Sequence, residues 1–232
     1  TTFSVYNPYN QVKIAEVSNC IQVDTESAIT AADHAFQIWS NFTANKRSRI
    51  LRNWYELIIE NVTDLAHILT IEQGKPLQEA IGEIKYGASY IEWFAEEAKR
   101  VYGDVIPGQS RKNRITVIKQ PVGIVGAITP WNFPNAMITR KVGPALAAGC
   151  TVIVKPSEYT PLSALALAEL SDRAGFPKGV INIVTTKDAS AIGESLTSNS
   201  KVKKISFTGS TPVGKIVLKQ SADQIKKVTL EL

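Results

Sequence analysis

GIVGAITPWNFPNAMITRKVGPALAAGCTVIVK, Gly123 to Lys155, decides the fold. Its ends, GIVGAIT and TVIVK, are short apolar runs without polar alternation, as strands buried on both faces are. Between them Asn135–Ala148 predicts a helix. A strand–helix–strand unit of this length returns its second strand parallel to the first by a right-handed crossover. The alternation then continues: helix Pro161–Ala174, strand Val180–Val184, helix Asp188–Leu196, strand Val202–Thr208, helix Thr211–Ala222 and strand Lys227–Leu232. The fold class is therefore α/β, a parallel sheet with helices on both faces.

N-terminal to this unit the chain changes character near residue 105. Residues 25–103 read as helices, with Thr25 and Thr43 as N-caps and Pro76 in a first helical turn. Leu77, Ala80, Ile81, Ile84, Tyr90, Ile91, Phe94, Ala98 and Val101 recur at helical spacing and read as core packing. Asp104–Gln109, with Pro107 and Gly108, reads as a connector, and Arg114–Lys119 alternates as a strand.

Composition narrows the function. The 232 residues carry 44% apolar side chains and a formal charge of +5. The basic residues are scattered apart from Arg111-Lys112-Asn113-Arg114, which reads as a solvated turn or strand edge, not a nucleic-acid patch. Two cysteines, Cys20 and Cys150, make no disulfide framework, and His34 and His67 lack zinc-ligand spacing. No apolar span approaches the 18 residues or so of a membrane helix. These features fit a reducing, cytoplasmic setting without metal, membrane or nucleic-acid partners.

Parallel sheets bind ligands beyond the carboxyl ends of their strands. There the sequence puts Pro130-Trp131-Asn132, Lys155-Pro156-Ser157-Glu158, Gly209 and Glu231. Pro130 and Pro134 make the PWNFP cluster a bend, and its Asn132 either helps start the next helix or aims an amide at a ligand. KPSE reads as a solvated helix start or as a ribose clamp, since a carboxylate there takes both ribose hydroxyls. FTGSTPVG, Phe207–Gly214, is not GxGxxG. It reads as a structural turn or as a diphosphate site, with Gly209 admitting close approach to a helix N-terminus. Glu231, among apolar residues, reads as a general base or a paired structural carboxylate.

Together PWNFP, AAGCTVIVKPSE (147–158), AGFPKGVINIV (174–184), SFTGSTPVG (206–214) and the closing LEL resemble the aldehyde dehydrogenase superfamily in order and spacing. EWFAEEAKRVYGDVIPG (92–108) and PWNFPNAMITRKVGPALAAGC (130–150) look closest to its succinate-semialdehyde branch. The resemblance implies a Rossmann-like NAD-binding core at 123–232, a subunit-bridging strand region at 106–122 and an N-terminal helical region at 1–105. It implies oxidation of an aldehyde, succinate semialdehyde or a related one, to the acid by NAD or NADP, in a homodimer or homotetramer. In that reading Asn132 is the oxyanion donor and Glu231 the base for thioester hydrolysis. Arg140 binds the substrate's distal carboxylate. Thr129, Pro130, Trp131, Lys155, Ser157, Glu158, Phe207, Thr208, Gly209, Ser210, Val213 and Leu232 line the cofactor, with Glu158 disfavouring a 2′-phosphate. Neither cysteine suits the family's nucleophile, which is expected beyond residue 232, so residues 1–232 alone are expected to be inactive. A non-catalytic nucleotide-binding module is the alternative if the natural chain ends there. The Thr185–Ser190 loop, TTKDAS, lacks the family's usual glycine, which leaves the adenine side open.

Overall fold

The computed structural model describes residues 1–232. It opens with a hairpin, β1 (Thr2–Tyr6) and β2 (Lys13–Ser18), followed by helices α1 (Gln22–Trp39), α2 (Ala44–Glu60), α3 (Val62–Gln73) and α4 (Leu77–Glu97). An antiparallel pair, β3 (Asp104–Pro107) and β4 (Arg114–Val117), comes next. The alternating part comprises β5 (Ile124–Ile128), α5 (Ala136–Ala148), β6 (Thr151–Lys155), α6 (Pro161–Ala174) and β7 (Ile181–Ile183). It ends with α7 (Ala189–Ser198), β8 (Val202–Thr208), α8 (Thr211–Ala222) and β9 (Lys227–Glu231).

The last five strands form one sheet, all parallel, in the order β7-β6-β5-β8-β9. The expected α/β class is what the chain adopts. The order reverses at β5, whose successors β6 and β7 lie to one side and β8 and β9 to the other. Loops leaving β5 and β8 therefore diverge and open a crevice between them, the usual ligand position in such sheets.

Two local expectations change. Thr25 is not an N-cap: α1 starts earlier, Ile21 N–H donates to Asp24 Oδ2 at 2.9 Å, and the Thr25 hydroxyl turns back to Ile21 O. The presumed connector after residue 103 contains β3, paired residue for residue with β4, so Pro107 ends a strand. Its apolar side chains Val105 and Ile106 remain exposed, as do Ile115 and Val117 of β4. Thr43 does cap α2, accepting from Lys46 N, and Pro76 immediately precedes α4. No helix is long and apolar enough to cross a membrane.

The two parts of the chain share a core. One cluster of 30 buried residues draws on Ala35–Ala98 and on Val125–Val180, including Trp39, Trp54, Ile84, Ile91, Leu146 and Leu167. A smaller cluster on the other side of the sheet joins Ile124, Ile153 and Ile205 to α1, α7 and α8. Polar groups cross the same boundary. Trp39 Nε1 donates to Leu146 O, Trp54 Nε1 to Leu167 O and Arg47 Nε to Ala147 O, all within 3.2 Å.

Neither α5 nor α6 has a side-chain cap from its own N-cap residue. Carboxylates from the N-terminal helices supply the caps instead. Glu83 Oε1 accepts from Asn135 N at 2.9 Å and Ala136 N at 3.3 Å. Glu72 accepts from Leu162 N at 2.8 Å and Ser163 N at 2.7 Å. Burial pushes the Glu72 carboxyl up to about 7, although these N–H donors and the Ser163 side chain pull the other way.

Candidate active site

The crevice at the carboxyl ends of β5, β6 and β8 is a groove of about 600 Å³. One wall is Thr129-Pro130-Trp131 after β5 with Lys155, Ser157 and Glu158 after β6. The other is Phe207–Ser210 with Val213 of α8. Eleven of the twelve residues expected at a cofactor thus converge on one groove. The twelfth, Leu232, lies outside it with its side chain over Gly214, where an added Cβ would meet Leu232 Cδ2 at 2.4 Å.

Lys155 ends a fully buried strand, and its side chain is 5% exposed. Its ammonium lies 3.8 Å from the Glu158 carboxylate, and desolvation lowers its pKa despite that charge. Across the groove, Ser210 is the N-cap of α8 yet makes no cap bond, so its hydroxyl and the first N–H groups of α8 have no local acceptor. An added Cβ at Gly209 would lie 2.6 Å from the Phe207 ring, so a side chain there would have to push the ring aside. An ammonium–carboxylate pair thus faces an uncapped helix start across the groove. The first suits ribose hydroxyls and the second suits a diphosphate, so the residues present fit a dinucleotide.

Sequence reading missed the third wall, where Ala189, Ser190 and Gly193 of α7 line the groove with Ile216 and Gln220 of α8. The loop without glycine is closed by other means: Thr186 Oγ1 accepts from Asp188 N, and Asp188 caps α7 through Ala191 N at 3.0 Å. Small residues at 189, 190 and 193 were the available signal, since they leave width between α7 and α8.

The remaining predicted residues form two further groups. Asn132 sits exposed in the bend; Phe133 N–H donates to its Oδ1 at 3.1 Å, while its Nδ2 has no partner. Arg140, half-buried on α5, donates from Nη1 to Glu231 Oε1 at 3.0 Å, and Thr208 Oγ1 donates to Glu231 Oε2 at 2.9 Å. Glu231 is therefore exposed and held by a cation and a hydroxyl, not set among apolar side chains as its sequence neighbours suggested. Beside this pair Lys141 reaches Ser206 Oγ at 3.3 Å, and burial lowers its ammonium to about 8. Cys150 is buried, which raises its thiol pKa, and Cys20 is partly buried; neither lines the groove.

The aldehyde dehydrogenase family model matches residues 1–232, the whole chain. The chain belongs to the aldehyde dehydrogenase family. It is 58% identical over 228 residues to succinate-semialdehyde dehydrogenase [NADP(+)] GabD of Escherichia coli strain K12, covering 98% of this chain and 47% of that protein. It is 57% identical over 231 residues to glutarate-semialdehyde dehydrogenase of Pseudomonas aeruginosa, covering all of this chain and 48% of that one. The crystal structure of succinate-semialdehyde dehydrogenase from Burkholderia pseudomallei superimposes with a TM-score of 0.98 at 56% identity, over 100% of this chain and 48% of its own. The chain spans about half the length of the curated aldehyde dehydrogenases it matches.

Proposed function

We propose that residues 1–232 are the dinucleotide-binding half of an enzyme that oxidises an aldehyde bearing a distal carboxylate, succinate semialdehyde or a close homologue, to the acid. The observation that carries this reading is the groove with an ammonium–carboxylate pair on one wall and an uncapped helix start on the other. Lys155 and Glu158 hold the ribose, and Ser210 with the start of α8 holds the diphosphate. The bound nicotinamide supplies the hydride acceptor.

The chain's own residues act on the aldehyde oxygen, the hydrolytic water and the distal carboxylate. A cysteine nucleophile belongs to the remainder of a family-length chain, and its attack puts negative charge on the aldehyde oxygen. The free Nδ2 of Asn132 donates to that oxygen. Glu231 takes a proton from the water that hydrolyses the thioester, its carboxylate retaining acceptor sites beyond those used by Arg140 and Thr208. The Nε and Nη2 donors of Arg140 have no partner and offer a planar fork to the substrate carboxylate. Self-association as a homodimer or homotetramer is supported by the exposed apolar side chains of β3 and β4.

The substrate class is tested at Arg140 in a protein of full family length. Arg140→Ala should raise KM for succinate semialdehyde by about ten- to a hundredfold, the range expected for losing ~1.5–3 kcal/mol of charged hydrogen bonding. An uncharged aldehyde of equal length should be little affected. Equal losses on both substrates would remove the case for a carboxylate-bearing aldehyde.

The cofactor is tested at Glu158. Its carboxylate repels a 2′-phosphate and accepts from ribose hydroxyls, so NAD should bind more tightly than NADP. Glu158→Ser should narrow that difference. Calorimetry showing tighter NADP binding to the unaltered protein would overturn the assignment.

A further inference from the structure

Its own helix holds the Asn132 bend only through one backbone bond, from Met137 N to Phe133 O at 3.0 Å. The side-chain hydrogen bond from Phe133 N is local, and Asn132 and Phe133 are exposed. The N-cap residue of α5, Asn135, contributes no cap bond; its amide is fully buried with both polar atoms unpaired. An arc of chain expected to aim a catalytic amide therefore needs support from elsewhere.

That support comes from the loop before α4 and from α4 itself. Lys75 Nζ lies 2.6 Å from Glu83 Oε2, donates to the Asn132 carbonyl at 2.9 Å, and sits 3.7 Å from the centroid of the Phe133 ring. The other oxygen of Glu83 accepts from Asn135 N and Ala136 N. A single ion pair thus grips the arc at residues 132–133 on one side and 135–136 on the other. The Lys75 and Glu83 side chains are only 10% and 1% exposed, so the pair is poorly screened and removing one charge strands its partner. One helical turn after Glu83, Gly87 lets α4 lie directly on the arc. A Cβ there would come within 2.3 Å of Asn135 Oδ1 and 3.3 Å of Ala136 Cα.

We propose that Lys75 and Glu83 are positioning residues that set the direction of the Asn132 amide, an inference resting on Asn132 as the oxyanion donor. Through its carbonyl contact Lys75 fixes the peptide that carries Asn132, while Glu83 fixes Lys75 and the start of α5 together. Neither touches the reacting atoms. Their effect is confined to the step in which charge develops on the aldehyde oxygen.

The test is a pre-steady-state measurement on the protein of full family length. Lys75→Met should slow the NADH burst by about ten- to a hundredfold, as misplacing a catalytic group by an ångström does, with NAD affinity unchanged. Lys75→Arg, which keeps a cation at the carbonyl, should recover much of the rate. In an Asn132→Ala background Lys75→Met should slow the burst no further, because the group it positions is gone. If Lys75→Met does not fold, Glu83→Gln, which keeps an oxygen acceptor for the two N–H groups, should give the same non-additive pattern. A full multiplicative loss in both backgrounds, or an unchanged burst in folded Lys75→Met, would overturn the positioning role alone. An unchanged burst in Asn132→Ala would overturn the oxyanion assignment and this inference with it.

Discussion

Replacing Glu231 with glutamine in the full-length protein is expected to leave a burst of NADH in the first turnover and then slow the steady state by roughly 10²–10⁴, the usual range for losing a general base. The amide keeps the shape of the carboxylate and can still accept from the Thr208 hydroxyl, which now donates to Oε2. It cannot take a proton from water. The substitution therefore separates hydrolysis of the acyl-enzyme, which needs the base, from its formation, which does not. A purely structural Glu231, serving only to pair with Arg140, predicts a different outcome. That ion pair is half-exposed, and exposed pairs contribute little, on the order of 0–1 kcal/mol. Stopped-flow traces with no burst phase and an unchanged steady-state rate would rule out the base.

Asn132→Ala is expected to act on the opposite step, lowering the burst rate itself by roughly 10²–10³, the loss typical of one oxyanion donor. Nδ2 has no partner, so its removal leaves no buried acceptor unpaired, and the exposed bend should fold as before. The prolines at 130 and 134 and the Lys75 contact to the carbonyl act on the backbone and do not depend on the side chain. KM for the aldehyde should change less than the burst rate, since the ground-state carbonyl carries little charge. A burst rate within twofold of the unaltered enzyme would show that the bend presents no donor to the developing oxyanion.

Much of this arrangement was legible because it is local in sequence. β5, β6 and β8 announce themselves as apolar runs, and the residues at their carboxyl ends follow once the strands do. TVIVK delivers Lys155 to the groove because Lys155 ends a buried strand at the carboxyl edge of the sheet. What sequence reading missed depends on long separations. Thr25 has the composition of a cap, but Ile21 and Asp24 start the helix first and its own side chain turns inward. Glu231 has apolar neighbours along β9, yet its neighbours in space are Arg140 and Thr208, 91 and 23 positions away. Glu83 and Lys75 look like ordinary charges on a helical stretch. Nothing within a window of any useful length shows that they hold a bend more than 50 residues downstream.

The caps on α5 and α6 also bear on how this half can be assembled and exchanged. Their donors are filled by Glu83 and Glu72, 52 and 90 positions upstream, and Trp39, Trp54 and Arg47 satisfy carbonyls of the same two helices. Neither helix is complete until the N-terminal helices have docked. The compositional change near residue 105 therefore marks no seam along which the chain can be cut. A chimera joined there would bring together helix ends and capping groups shaped for different partners. It would inherit uncapped α5 and α6 starts unless carboxylates at 72 and 83 travelled with them, and would lose the donors to the carbonyls of 146 and 167 unless the indoles at 39 and 54 did. Recombination within this family should succeed at junctions that keep those four positions and residues 135–167 from one parent, and fail at the boundary that composition alone would recommend.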